Sequence, residues 1–244
     1  MIISRIDTVI VVGFLILVQG TGALAGFWLP AIAPEVGESL GLSPSLIAYP
    51  VLILYIFAMI SSLMAGGFVA RFGAWRASQA ALILIGISHL MFMNGSLIFL
   101  AVGSIILGGA YGLLTPPASH LLSKIVTAKN RNLIFSIRFT GVPLGGILAG
   151  LLAPSVALEY GWRESMLVTV VISVVIAVAM QPLRKRWDSD RSKGAKIIRN
   201  PISDICLVWK LSALKWVALL SLIHISEPTR RRGIGVCGVG VEKK

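Results

Sequence analysis

A single arginine lies deep within an apolar stretch of this 244-residue chain. Arg138 is preceded by Arg131, and the next charged residue after it is Glu159. A guanidinium offers five N–H donors in a planar fork that matches a carboxylate. If Arg138 points inward, it is a binding group for a small organic or inorganic anion. If its long side chain reaches back to the aqueous surface, it has no such role, and the sequence leaves both alternatives open.

Other polar side chains interrupt the same kind of apolar sequence and form the rest of the candidate substrate site. They are Gln19, Thr21, Tyr55 and Tyr111. Polar groups inside hydrocarbon are costly and therefore tend to be functional, although each of these could instead bond to a neighbouring helix. The apolar stretches contain no Asp or Glu. The sequence therefore offers no proton carrier in them, and facilitated diffusion or anion exchange stays open.

Enzymatic chemistry finds little support in the residue pattern. An intramembrane serine protease needs a serine and a histidine on different membrane spans. The last two apolar stretches contain no histidine, and Ser104 is not in a Gly-x-Ser-x-Gly context. Cys206 and Cys237 are far from any pair of histidines with metal-ligand spacing. We therefore expect no enzyme, no metal site and no cofactor.

Six long apolar stretches must position the polar side chains. The chain is 56% hydrophobic and 13% charged, with a mean hydropathy of +0.88, whereas soluble domains are about 25% charged. A spanning helix needs about 20 apolar residues, and Asn94-Gly95-Ser96 divides the longest stretch. The predicted spans are Thr8–Trp28, Leu46–Val69, Ser78–Met93, Leu97–Leu122, Leu133–Leu152 and Met166–Met180.

The basic residues predict the orientation of these spans. Thirteen lysines and arginines fall at alternate ends, against Arg163 alone on the other side. Because Lys and Arg are retained in the cytoplasm, we expect a multi-pass protein of the plasma (cell inner) membrane with a cytoplasmic N-terminus. The net charge of +12 borders apolar spans, so it favours a lipid bilayer as partner and not nucleic acid.

An internal repeat relates the first three spans to the last three. Trp75-Arg76-Ala77-Ser78 matches Trp162-Arg163-Glu164-Ser165 at an offset of 87, and Gly13–Leu17 faces Gly103–Leu107 at an offset of 90. An odd number of helices per copy inverts the second copy in the membrane. The predicted fold is an all-α membrane protein of six transmembrane helices in a 3+3 inverted repeat.

The loop after the second span carries a recognisable motif. Residues 66–76, Gly-Gly-Phe-Val-Ala-Arg-Phe-Gly-Ala-Trp-Arg, resemble the signature cytoplasmic loop of the major facilitator superfamily. The usual acid is replaced by Ala70 and one usual base by Trp75. The resemblance implies a conformational latch formed by the matching residues, which are Gly66, Arg71, Gly73 and Arg76.

The fifth span resembles a Gly-Pro-rich helix motif that the same family associates with exchangers. Its glycines recur at helical spacing and predict a smooth face for another helix, and its proline predicts a kink. Packing alone would explain the pattern equally. The residues of this helix-packing motif are Gly141, Pro143, Gly145, Gly146 and Gly150.

The resemblance implies a secondary transporter that moves a small solute by alternating access, with spans one, two, four and five lining the substrate site. Thr115-Pro116-Pro117 should break span four and free carbonyls there. The alternative functions are a channel or a structural membrane protein without transport activity.

Four segments make up the predicted domain organisation. Residues 1–181 form the six-helix unit, 182–213 a basic cytoplasmic linker, and 214–219 the start of a seventh helix. Residues 220–244 begin with a run that resembles a translated sequencing adapter, so we expect this tail to be non-native. The chain is thus expected to be the N-terminal half of a twelve-helix protein, with its C-terminal six-helix half missing as a partner.

Overall fold

The computed structural model describes residues 5–43, 46, 48–192, 194–195, 197, 209 and 216. Within them the ordered structure is helical. The helices are α1 Arg5–Ala31, α2 Ala33–Leu40, α3 Ala48–Phe72, α4 Ala74–Phe92, α5 Leu97–Gly112, α6 Thr115–Ile125, α7 Arg131–Phe139, α8 Gly141–Tyr160, α9 Trp162–Ala179 and α10 Arg184–Trp187. A 3-10 turn, Gln181–Leu183, joins α9 to α10.

Five helical segments of the described chain are long and apolar enough to cross a membrane. They are Ile6–Ala31, Ala48–Phe72, Leu97–Ile125, Arg131–Tyr160 and Trp162–Leu183. The third predicted span, Ser78–Met93, coincides with the helix α4 but is not among the five. Polar residues such as Arg76, Gln79 and His89 lower the hydropathy of α4.

Two of the long spans are interrupted beside prolines. Between α5 and α6, Leu113 and Leu114 bond back only three residues, and Pro116 and Pro117 follow. The predicted break of span four is therefore present. The second interruption is at Thr140, between α7 and α8, because Pro143 lacks an N–H and its ring crowds the carbonyl four residues earlier.

Glycines allow two pairs of helices to pack with their backbones in close approach. A Cβ on Gly108 or Gly112 of α5 would collide with backbone atoms of α3. Likewise, a Cβ on Gly141 or Gly145 of α8 would collide with backbone atoms of α1. Only glycine permits such approach, so α3 packs extensively against α5, and α1 against α8.

The helices α4 and α9 also pack against each other, and they begin in the same way. Gly73 precedes α4 with φ 98° and ψ 153°, and Gly161 precedes α9 with φ 96° and ψ 151°. A positive φ strongly favours glycine. Further along, a Cβ on Gly86 of α4 would touch the Ser173 hydroxyl of α9.

The segment between the first two spans contains a helix that hydropathy does not predict. α2 begins at Ala33 with Pro34 in its first turn, and it ends where Gly41 adopts φ 64°. Its eight residues are too polar to register as an apolar run, although a first-turn proline and a terminal glycine are ordinary boundary signals.

The chain divides into two units, Met1–Arg199 and Asn200–Lys244. The first unit buries large side chains that include Trp28, Trp75 and Phe92. In the second unit, Trp209 and Trp216 are described and are exposed. The predicted tail 220–244 lies outside the described residues, as do 214–219 apart from Trp216.

Candidate functional site

Arg138 is fully buried where three helical segments meet. It belongs to α7 and is 0% exposed. Its Nη2 donates to Gln19 Oε1 of α1 at 2.7 Å and approaches the Leu114 carbonyl at 3.5 Å. The guanidinium carbon also lies 4.8 Å from the centre of the Phe139 ring. Two sequence-predicted residues, Arg138 and Gln19, are therefore in direct contact, and Arg138 does not extend to the aqueous surface.

The Leu114 carbonyl reaches Arg138 because span four is broken there. The last residues before a helix interruption have carbonyls without intrahelical partners. Pro116 and Pro117 have no N–H, so the carbonyls four residues before them, those of Gly112 and Leu113, lose their helical donors. The proline pair predicted free carbonyls in this turn, but no sequence pattern indicated which side chain would approach the turn.

Part of the Arg138 guanidinium has no partner. Among the described residues, Nε and Nη1 of Arg138 make no hydrogen bond although both are buried. A buried donor without a partner costs roughly 1 to 3 kcal/mol, and more when it is charged. The two nitrogens carry three N–H groups between them, and all three lack a partner among the described residues.

One face of α1 connects Arg138 to the two tyrosines. Gln19 contacts Arg138, and seven residues further along, a Cβ on Gly26 would lie 3.3 Å from the Tyr111 ring. Tyr111 of α5 in turn meets Tyr55 of α3 edge to face, with ring centres 6.1 Å apart. Tyr55 is 52% exposed. The face therefore begins at a buried cation and continues to an accessible pair of aromatic rings.

Thr21 is placed differently from the other candidates. It is buried, but its hydroxyl donates to the Leu17 carbonyl of its own helix at 2.8 Å. This local bond satisfies the hydroxyl without a ligand. The structure therefore does not bring Thr21 to the group around Arg138.

The latch motif surrounds the beginning of α4. Gly73 adopts its positive φ immediately before α4, and a Cβ there would collide with the carboxylate of Asp188. Asp188 accepts hydrogen bonds from the backbone amides of Trp75 at 2.8 Å and Arg76 at 3.1 Å. A carboxylate at a helix N-terminus satisfies free amides and complements the helix dipole. No sequence pattern indicated Asp188, which lies 113 residues after Trp75.

The other latch residues and glycines of the packing motif have varied surroundings. Gly66 and Gly150 have no neighbouring atoms within 4 Å of an added Cβ. A Cβ added at Gly146 would lie 3.5 Å from the Phe27 ring. Arg71 places its guanidinium carbon 5.8 Å from the centre of the Phe72 ring. The predicted glycine face is therefore narrower than the spacing suggested, and it centres on Gly141 and Gly145.

The segment after α9 contacts the ends of several helices on the side where the basic residues concentrate, which we call the inner side. Trp187 stacks on Trp75 with ring centres 6.4 Å apart, and Trp75 Nε1 donates to the Met180 carbonyl at 2.6 Å. Arg186 pairs with Asp7 of α1 at 2.6 Å. We call this segment, residues 180–192, the inner brace.

Asp190 attaches the inner brace to α6. It accepts from Lys124 Nζ at 2.7 Å and lies 2.8 Å from His120 Nε2. Partial burial opposes ionisation of this carboxyl, but hydrogen bonds with Lys124 and His120 hold the pKa of Asp190 below its ordinary value. Asp190 is thus a carboxylate at neutral pH, shared between two groups of α6.

Comparison with known proteins identifies relatives along most of the chain. The sequence profile described as Major Facilitator Superfamily matches residues 13–227. The gallate transporter of Pseudomonas putida is 29% identical over 151 residues, which cover 59% of this chain and 32% of that protein. The 4-hydroxybenzoate transporter PcaK of Pseudomonas aeruginosa is 25% identical over 213 residues, 84% of this chain and 44% of that protein.

Solved structures share the fold at low sequence identity. The crystal structure of the peptide transporter POT in complex with sulfate superposes with a TM-score of 0.61 at 21% identity, covering 88% of this chain and 46% of that one. The POT family transporter PepTSo superposes with a TM-score of 0.57 at 17% identity, covering 72% and 38%. The chain spans less than half the length of these relatives.

Proposed function

Because this chain belongs to the major facilitator superfamily, we propose that it is the N-terminal six-helix half of a secondary transporter that moves a small organic anion by alternating access. The two relatives named above are transporters of gallate and of 4-hydroxybenzoate. Both compounds are aromatic carboxylates. The proposed substrate is accordingly a small aromatic acid.

The observation that carries this proposal is the buried guanidinium of Arg138. Its hydrogen-bond partners among the described residues are the neutral oxygens of Gln19 and Leu114, so its charge is not cancelled by an acid there. A ligand carboxylate could accept charge-assisted hydrogen bonds from the unpartnered Nε–H or Nη1 N–H groups, which lie on different edges of the guanidinium. Tyr55 and Tyr111, which lie beside the same face of α1, would supply ring contacts and hydroxyl groups for an aromatic substrate.

The pairing of helices supports the 3+3 inverted repeat. If spans one to three correspond to spans four to six, the pair α1 and α8 should correspond to the pair α5 and α3. Both pairs pack closely through glycines. The repeat would also make α4 equivalent to α9, so these two helices would pair with each other. Both begin after a glycine, and the two glycines have nearly equal φ and ψ.

The same framework gives the orientation and the role of the latch. We propose that the protein lies in the plasma membrane with the inner brace and the N-terminus on the cytoplasmic side, because the basic residues concentrate on that side. Gly66, Arg71, Gly73 and Arg76 would meet the second half when the inner side closes. Asp188, which touches Gly73, would supply an acid in place of Ala70.

Binding of aromatic acids by the reconstituted full-length protein tests the proposal. We expect 4-hydroxybenzoate or gallate to bind saturably, and Arg138→Gln to weaken that binding by at least about tenfold, because the charge-assisted hydrogen bonds to the carboxylate are lost. Arg138→Lys keeps the charge but not the fork, and should bind at an intermediate level. Arg131→Gln, on the exposed start of α7, is the matched control. Equal affinity in Arg138→Gln and the control would overturn the proposed role.

Counterflow separates a transporter from a channel. Proteoliposomes loaded with unlabelled substrate should transiently accumulate labelled substrate if the protein works by alternating access. Uptake that neither saturates nor shows counterflow would favour the channel alternative.

A further inference from the structure

A groove opens between α4 and α9 at their inner ends, and it shares no lining residue with the Arg138 site. Its volume is about 630 Å³. It is polar at one end and apolar along the rest of its length. The residues that line it are Arg76, Gln79, Ala80, Ile83, Val174, Ala177, Val178, Gln181 and Arg184. We call it the α4–α9 groove.

The polar end carries positive charge that nearby acids do not neutralise. Arg76 and Arg184 both line the groove, and within the described chain neither guanidinium forms an ion pair. Asp188 is close, and its carboxylate, which accepts from backbone amides of α4, attracts the charge of Arg76. The charges of Arg184 and Arg191 repel it.

A second, smaller cavity extends this basic region. Its volume is about 280 Å³, and it is lined by Arg71, Phe72, Arg76 and Arg191. Arg76 therefore lies between the two cavities. Four arginines line the two cavities, and they make this corner of the protein complementary to a phosphate group.

The apolar part of the groove has the character of a surface in contact with acyl chains. Ile83, Val174 and Val178 are 51%, 46% and 66% exposed. The small side chains of Ala80 and Ala177 leave room between the two helices. The groove therefore places an apolar surface beside the two arginines.

Gln79 closes the inner side of the groove. Its Nε2 donates to the Ala177 carbonyl and to Gln181 Oε1, both at 2.9 Å. These bonds connect α4 to α9 below the opening and hold the two walls in place. They also leave Arg76 and Arg184 as the charged groups at its mouth.

We propose that the α4–α9 groove binds an anionic phospholipid of the inner leaflet, with its phosphate at Arg76 and Arg184 and one acyl chain along Ile83, Val174 and Val178. A soluble anion would use the arginines but not the apolar walls, and a zwitterionic lipid would bring a positive group to a positive pocket. A lipid with net negative charge matches both parts of the groove. Basic pockets between transmembrane helices on the cytoplasmic side bind such headgroups.

Native mass spectrometry of the purified 244-residue chain in detergent tests the proposal. Detergent removes the bilayer surface, so retention reports a specific site. We expect the chain to retain dioleoylphosphatidylglycerol in preference to dioleoylphosphatidylcholine. The double variant R76Q/R184Q should bind the anionic lipid about tenfold or more weakly. K129Q/R131Q, which loses the same charge at exposed positions of the inner side, is the matched control.

A second variant tests the acyl chain separately from the charges. Ala80→Leu would fill the groove while leaving both arginines in place, and it should also weaken retention of phosphatidylglycerol. Inorganic phosphate in excess should not displace the lipid. Equal retention of the two lipids, equal loss in the control pair, or unchanged retention in Ala80→Leu would overturn the proposal. Thermal melting of each variant verifies that it is folded. If R76Q/R184Q does not fold, the result for Ala80→Leu still decides the proposal.

Discussion

At the scale of single residues, Arg138 is held by neutral groups. Burying a charge is costly unless it is hydrogen-bonded or paired. Gln19, the Leu114 carbonyl and the Phe139 ring together compensate part of that cost. An acidic partner would have stabilised the arginine further but would also have cancelled its attraction for an anion. Under the proposed function, this incomplete compensation would leave the arginine free to bind an anionic substrate.

Replacement of Gln19 tests how much of that compensation it provides. Gln19→Leu keeps the approximate volume but removes the oxygen that accepts from Arg138, so we expect a loss of about 1 to 3 kcal/mol in the free energy of unfolding. Thermal unfolding in detergent measures it. Thr21→Val is the control, because the Thr21 hydroxyl bonds only within its own helix. An equal effect of the two changes would show that Gln19 does not support the arginine.

At the scale of helices, α1 and α8 depend on the absence of side chains. Gly145 of α8 lies against the backbone of Gly20 and Leu24, whereas Gly150 of the same helix faces open space. The two glycines belong to one sequence motif but have opposite surroundings. Substitutions at the two glycines therefore form a matched pair for measuring how much close helix packing contributes to the free energy of unfolding.

Gly145→Val should destabilise the protein by about 1 to 3 kcal/mol or more, because the new side chain forces two helices apart. Gly150→Val should change stability by less than about 0.5 kcal/mol. Both variants add the same atoms to the same helix, so propensity effects cancel in the comparison. Melting temperatures in detergent give the difference, and equal shifts would contradict the assigned packing.

At the scale of the whole molecule, the inner brace connects helices that are distant in sequence. Asp188 caps α4, Asp190 binds α6, and Arg186 pairs with Asp7 of α1. The Ser192 amide also donates to the Ala70 carbonyl of α3 at 2.9 Å. Contacts to four helices make this short segment a common support for the inner ends of the bundle.

The two aspartates of the inner brace should differ in their contributions. Asp188 is 5% exposed and caps two amides, whereas the Asp190 side chain is 40% exposed. We expect Asp188→Ala to cost about 1 to 2 kcal/mol, as for other N-caps, and Asp190→Ala less than about 1 kcal/mol. Chemical or thermal unfolding of both variants checks the order. A larger loss for Asp190→Ala would contradict it.

Hydropathy predicted the spans better than it predicted their ends. The helix α8 continues to Tyr160 although its predicted span stops at Leu152, and α9 starts at Trp162, not Met166. An apolar run measures the thickness of hydrocarbon, whereas a helix continues as long as its backbone bonds do. α2 was missed for the same reason, since a short polar helix leaves no apolar run.

The site could be predicted only in its residue types. Arg138 and Gln19 were both identifiable as polar residues in apolar sequence, but their contact spans 119 residues and depends on how α1 packs against α7. Asp188 gave no signal at all, because an aspartate in a basic segment is ordinary. Local patterns thus indicated which groups were unusual, while tertiary packing decided which of them meet.

The Asp188 cap has a consequence for the order in which this protein is made. The amides of Trp75 and Arg76 are satisfied by a residue more than a hundred positions later in the chain. The ribosome has therefore already synthesised the helices α1 to α9 before it adds the side chain that completes the start of α4. A nascent chain stalled before residue 188 would lack this cap, so these two amides of α4 would not have Asp188 as their acceptor.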